Sequence, residues 1–343
     1  VKFYMRDLYV NVVDSFSTYL FSQAFFVKSR LTEKAFSRTG FLSFPRLIAC
    51  LLGGYTSKVQ SELDVFFANM ANRADLIREV SAQAFAKARK QVSAAAFPLL
   101  NDHFLTLVDE QFGFPLDTAT VVAADATVLR LTLFGKTRDG KAFARHIVDA
   151  IGFALYLPGI EMTLAARLYS PNVGERQMLF EHLGKLLLND LLVLDRAVPA
   201  YWLFAALLQR QGHFCMRADS LNFSTIQAFR RSGLAEQIVT LPAPCKQDAA
   251  DYEIAATPCK VRLIRQIFGH KVRVLVTSLL DLDAYPAAEF GRSIFSVAIE
   301  EAFKRIKHRL ALEHLSGMSW LAAQQDFGAK ILCDNINALA VHA

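Results

Sequence analysis

Paired cysteines are missing from this sequence. Its five cysteines, Cys50, Cys215, Cys245, Cys259 and Cys333, are scattered and form no CxxC pair. That spacing excludes a disulfide framework and gives no support to structural zinc. The eight histidines are not clustered at ligand spacing either. Long hydrophobic runs are also absent: the longest uncharged stretches, such as Leu47–Ser57 and Ala197–Gln209, fall well short of the roughly 18 to 20 apolar residues that span a bilayer. No membrane partner is therefore expected. There is no Pro/Gly-rich linker, internal repeat or low-complexity segment, and no basic start followed by an apolar stretch and a cleavage site, so the expected location is the cytoplasm.

What is present is apolar material in quantity. Of 343 residues, 53% are hydrophobic and 20% charged, and the mean hydropathy is +0.26. Such a chain can bury a sizeable core, and two-sided burial of strands accounts for the richness. The formal net charge of +6 suits a polyanionic partner, although charge alone is weak evidence for one.

Residues 1–114 carry 3.6-residue periodicity in segments such as Phe44–Leu52 after Ser43, Val59–Ala71, Ser81–Lys90 and Ala94–Phe112, which predicts a helical leader domain. The texture changes at Pro115. Thr118–Ala124, Thr127–Phe134, Ala150–Leu157 and Glu161–Tyr169 read as strands, Gly174–Leu188 as a helix, Asp190–Leu194 as a short buried strand and Pro199–Gln211 as another helix. These make up a first core segment over 115–212. Residues 213–284 read as a β-rich insertion, with strands at Phe214–Arg217, Gln237–Leu241, Lys260–Phe268 and Lys271–Ser278. Residues 285–343 complete the core. There, Pro286–Leu315 predicts a long helix whose stripe of Ile299, Phe303, Ile306 and Leu310 packs on the sheet.

Three acids stand out against this background. Asp125 follows the apolar run Val121–Ala124, and Asp195 follows Leu191–Leu194. A carboxylate so placed is costly unless it finds a metal, a cation or solvent. Glu300 sits beside the stripe of the late helix. An Asp on a central strand, a second ending an adjacent strand and a Glu from a helix crossing them could share hard, oxygen-preferring ions such as Mg²⁺, and a pair of such ions suits phosphodiester chemistry. Each acid also has an ordinary alternative: Asp195 as a turn or helix N-cap, Asp125 as a structural carboxylate, and Glu300 with Glu301 as solvated helix surface.

At these same residues the chain resembles the DDE transposases of bacterial cut-and-paste insertion sequences. LSFPRLIACLL, SELDVFF and VSAQAFAKARKQVSAAAFPLLN are similar to that family's helical leader. VVAADATVLRL resembles its first catalytic-Asp strand, and LLVLDRAVPAYWLFAALL with HFCMR the region of the second. AIEEAFKRIKHRLALEHLSG resembles the catalytic-Glu helix, and QQDFGAKIL the segment C-terminal to it. The resemblance implies an α/β fold with an RNase H-like mixed sheet flanked by helices and interrupted by the β-rich insertion. It implies that Asp125, Asp195 and Glu300 are catalytic and ligate two Mg²⁺ ions, for which Mn²⁺ can substitute. The activity implied is cleavage of double-stranded DNA at transposon ends and strand transfer into a target, by a homodimer associated with the bacterial nucleoid.

The family's Tyr-x2-Arg-x3-Glu-x6-Lys motif reads here as Ser293, Ser296, Glu300 and Lys307, so Glu and Lys are kept while Tyr and Arg are lost. Serine cannot supply the bidentate phosphate contact of an arginine. The family's DRGYP likewise reads Asp195-Arg196-Ala197-Val198-Pro199. These departures leave open a second reading, a catalytically impaired or domesticated DNA-binding protein. Family chains usually continue beyond the QQDFGAK match, which implies a truncated C-terminus.

Lys304 and Lys307 share the Glu300 helix face and, with Arg196, are candidates to hold DNA phosphate, the alternative for the lysines being a solvated face. Arg73, Arg78, Lys87, Arg89 and Lys90 form a basic portion of the leader that could bind transposon ends. Tyr201 and Trp202 could stack on an extruded base near the cut, or belong to the core.

Overall fold

A computed structural model describes residues 2–38, 40–55, 57–113, 120–136, 143–194, 200–218, 223–268, 271–291 and 310–342. The chain opens with α1 (Lys2–Leu20), α2 (Gln23–Ser29), α3 (Phe44–Leu52), α4 (Val59–Met70), α5 (Ala82–Arg89) and α6 (Ala96–Phe112). Local chemistry sets several starts. Ser22 and Ser81 accept hydrogen bonds from the backbone N–H groups of Phe25 and Ala84, three residues on, and Pro45 lies in the first turn of α3. Phe44, Leu47, Ile48 and Leu51 of α3 are buried, as their helical spacing requires.

The sheet comes next, with β1 (Val121–Lys136), β2 (Phe143–Leu157), β3 (Met162–Tyr169), α7 (Glu175–His182), β4 (Leu191–Leu194), α8 (Tyr201–Gln209) and β5 (His213–Arg217). After these come α9 (Ser224–Ser232), β6 (Glu236–Leu241), α10 (Lys246–Asp251), β7 (Cys259–Phe268), β8 (Lys271–Thr277) and the closing helix α11 (Trp320–His342). All eight strands form one sheet in the order β3-β2-β1-β4-β5-β8-β7-β6. β1 pairs antiparallel with β2 and parallel with β4, and β4 pairs parallel with β5. This half is the RNase H-like mixed sheet implied by the resemblance. The strands of the β-rich segment continue it, since β8 hydrogen-bonds antiparallel to β5 and carries β7 and β6 outward.

Strand alternation separates two faces. On one, Val122, Ala124, Leu192, Leu194, Phe214 and Met216 pack with α7 and α8. On the other, Ala123, Leu129 and Leu131 lie under Phe327 and Ile331 of α11, while Val193, Cys215 and Leu275 meet Leu279 and Phe290. β4 is buried at all four positions, which explains its unbroken Leu-Leu-Val-Leu.

α11 joins the helical leader to the sheet. Its Ala329, Leu332 and Leu339 enter the leader's core. A Cβ on Gly328 would come within 2.8 Å of Phe97 Cβ, so glycine is what lets α6 and α11 cross closely. Buried polar groups fix the register. Asn335 Nδ2 donates to Asn101 Oδ1 at 2.7 Å and to the Thr163 carbonyl at 2.8 Å, while its Oδ1 accepts from the Thr163 N–H at 2.7 Å. A wrong pairing would leave these groups unsatisfied in the interior. Among the described residues, no helix is long and apolar enough to cross a membrane.

Candidate functional site

Asp125 lies within β1, directly opposite Ala154 of β2. Its carboxylate is half-buried, and Oδ1 accepts the Ala126 N–H at 2.8 Å. Alternation puts it on the face of Ala123 and Leu129, beneath the chain that returns at Leu312. The parallel register pairs Ala124 with Leu194, and Leu194 in turn with Met216. The pairing of β1 with β4 thus stops one residue before Asp125 on one strand and one residue before position 195 on the other.

Arg217 closes β5 after Met216, half-buried and on the same face as Asp125 by alternation from Cys215. It lies at the same level of the sheet as Asp125. Sequence reasoning did not single out this residue. Its signal was a charged residue closing the apolar run Phe214–Met216, the pattern that drew attention to both aspartates.

Asp195, Arg196, Ser293, Ser296, Glu300, Lys304 and Lys307 fall outside the described residues, as does most of the predicted Pro286–Leu315 helix. The chain on either side of 292–309 is described. Phe290 packs with Val193 and Cys215, and Leu312 with Ala123 and Leu129, so both flanks rest on the sheet face that carries Asp125. Among the described residues there is no group of three or more His, Cys, Asp or Glu side chains placed to hold a metal.

Trp202 is 5% exposed, and its ring is stacked on Tyr252 at 3.8 Å and 11°, with Phe180 against it edge-on. The ring face that an extruded base would need is taken by Tyr252, which corrects the expectation of a DNA contact at this residue. Tyr201 is stacked on Phe223 in the same way, at 4.2 Å. Burial of this aromatic cluster outweighed exposure because each ring removes a large apolar area from water.

The basic portion of the leader divides. Arg89 is 3% exposed and points inward, where Nη2 meets Asp326 Oδ1 at 2.8 Å and the Ala322 carbonyl at 2.9 Å, Nε meets Gln325 Oε1 at 2.9 Å, and Nη1 meets Ser316 Oγ at 2.6 Å. It is a structural cation rather than a DNA contact. Arg73 is paired with Glu79 at 2.9 Å, whereas Arg78, Lys87 and Lys90 are exposed.

No family model and no curated protein matches this chain. Among solved structures, it is similar to a piggyBac transposase in a synaptic complex with hairpin DNA, at 12% identity and a TM-score of 0.46, over 93% of this chain and 70% of that one.

Proposed function

We propose that this chain is a DNA transposase of the DDE type, in which Asp125, Asp195 and Glu300 hold two Mg²⁺ ions, or Mn²⁺ in their place. The observation that carries the reading is the parallel pairing of Ala124 with Leu194, because each of these residues is followed in sequence by one of the two aspartates. The segment bearing Glu300 supports it further, since its described flanks at Phe290 and Leu312 pack on the Asp125 face. An all-carboxylate donor set fits a hard divalent cation. Bound metal would supply charge neutralisation at the attacking and leaving oxygens of a phosphodiester. Arg196, Lys304 and Lys307 hold DNA phosphates in this reading, and the substrate is double-stranded DNA at transposon ends and at a target. Two copies act together on a pair of ends.

A specific observation favours a second reading. Ser293 and Ser296 stand where the resembling family has Tyr and Arg, so the chain can keep the fold and DNA binding while having lost cleavage. One experiment separates the two. Purified protein is incubated with DNA carrying the inverted repeats that flank its gene, with Mg²⁺, with Mn²⁺ and with chelator. Metal-dependent cleavage that disappears in Asp125→Ala supports an active transposase. Cleavage that is absent until Ser293→Tyr/Ser296→Arg restores it supports the impaired reading. Cleavage that survives Asp125→Ala, or its absence in every variant, rejects the enzymatic assignment.

A further inference from the structure

β1 and β2 form a long hairpin whose outer half extends beyond the other strands. β3 pairs with β2 only from Ile151 onward, so Ala144–Ala150 has no strand partner, among the described residues, on the side away from β1. One face of this outer half is covered: Leu129, Leu131 and Ala150 lie under Leu312, Phe327 and Ile331. On the other face Ile147 is 77%, Val128 54% and Phe134 51% exposed. Unpaired edges of this kind are normally blunted by charged side chains, lysine above all, by proline or by a bulge, and here the charges are Arg145 and Asp149. The segment Ala-Arg-His-Ile-Val-Asp-Ala has neither proline nor lysine, and its register with β1 runs without a shift.

Its charges are arranged symmetrically. Arg145 and Asp149 flank Ile147 at equal distances, on the same face of the strand. If the strand meets its own copy antiparallel about a twofold axis at Ile147, Ile147 faces Ile147 and each Arg145 faces the other copy's Asp149. Directly opposed opposite charges and β-branched pairs both favour antiparallel strands. The edge is complementary to itself, as an isologous contact requires.

We propose that β2 is a homodimerisation edge, through which a second copy of this chain adds to the sheet by antiparallel pairing of Ala144–Ala150. The inference does not depend on catalysis or on the identity of the DNA. A single strand contact is small beside the roughly 800 Å² per partner of a standard stable interface, so the pairing is weak and concentration-dependent, and suits copies brought together on one substrate.

The test traps the pair covalently. Opposed Cα atoms in antiparallel strands are about 4.5 to 5.5 Å apart, within the roughly 4.4 to 6.8 Å range of disulfides. Cys245 is an exposed thiol and is first replaced by serine. Under mild oxidation, Ile147→Cys should form a disulfide dimer well ahead of Leu187→Cys, a similarly exposed position away from the hairpin. Adding Arg145→Asp turns two attractive cross-strand pairs repulsive and should slow the crosslink about tenfold. Adding Asp149→Arg as well should restore it, and that rescue excludes misfolding as the cause of the loss. Equal dimerisation rates for the Ile147 and Leu187 cysteines, or a crosslink indifferent to the charge reversal, would overturn the proposal.

Discussion

Replacing Arg89 by methionine should destabilise the fold by about 3 to 5 kcal/mol, the usual consequence of removing one partner of a buried ion pair. The side chains of Arg89 and Asp326 are each only 4% exposed, so water cannot solvate the charge left behind. Asp326 would keep two donors, the Ser316 N–H at 2.7 Å to Oδ2 and the Ser316 hydroxyl at 2.7 Å to Oδ1, but would lose its paired cation, with Lys330 acting on it only at longer range. The partner change Asp326→Leu strands the guanidinium in the same way. The double variant Arg89→Met/Asp326→Leu removes both charges and leaves chiefly the Ser316 and Gln325 polar groups short of a partner, a cost of about 1 to 3 kcal/mol. The two substitutions should therefore be strongly non-additive, with a coupling of about 3 kcal/mol or more. Urea unfolding followed by circular dichroism, with the slope checked for constancy across the four proteins, gives the cycle directly. A loss below about 1 kcal/mol for Arg89→Met, or additive single changes, would refute the buried-pair account. A DNA-contacting Arg89 would behave oppositely: stability would hold, and the salt dependence of DNA binding would weaken by about one phosphate contact.

Gly328→Ala should cost about 1 to 3 kcal/mol by overpacking, because the new methyl would meet Phe97 Cβ at 2.8 Å, whereas Gly184→Ala, with no atom within 4 Å, should change stability little; melting temperatures compare them. His182 is buried with Nδ1 donating to the Met178 carbonyl at 2.8 Å, and burial holds its pKa below the ordinary histidine value. Protonation thus favours the unfolded chain, so stability is fully present above about pH 6.5 and falls as the pH drops toward the lower folded-state value. Burial lowers His103 and His213 in the same direction. Melting curves at stepped pH should show the loss, and His182→Gln should reduce it; an unchanged slope would dismiss His182 as a contributor.

Much of the fold was legible in the residues because burial imposes simple periods. Phe44–Leu52 is helical with the bounds expected, and the Leu-Leu-Val-Leu of β4 announces a strand covered on both faces. Elsewhere local pattern misled. β1 is a single strand, although the sequence suggested separate runs at Thr118–Ala124 and Thr127–Phe134; hydrogen bonding to β2 carries the chain straight through Asp125. Within the β-rich segment α9 and α10 were missed, being only nine and six residues long and carrying too few turns for a clear period. In α11, Gln325, Asp326, Lys330, Asp334 and Asn335 are all buried, so hydrophobicity alone gives no clean stripe. Their partners, such as Arg89 and Asn101, lie more than two hundred residues earlier, and no local window shows such pairings. Arg89 did carry a signal that went unread: it stands four residues after Phe85 and so shares the buried face of α5. At the candidate site, Asp125 and Asp195 drew attention through the cost of placing a carboxylate after an apolar run. Of the three acids, Asp125 alone lies among the described residues.

The clasp formed by α11 also constrains the order in which the molecule assembles. The groups that fasten α6 to β3 and α5 to the segment near Ser316 are supplied by residues 325–335, which leave the ribosome after nearly everything they join. During synthesis the leader and the sheet must wait, each with an apolar flank uncovered, until this helix arrives to seal them together.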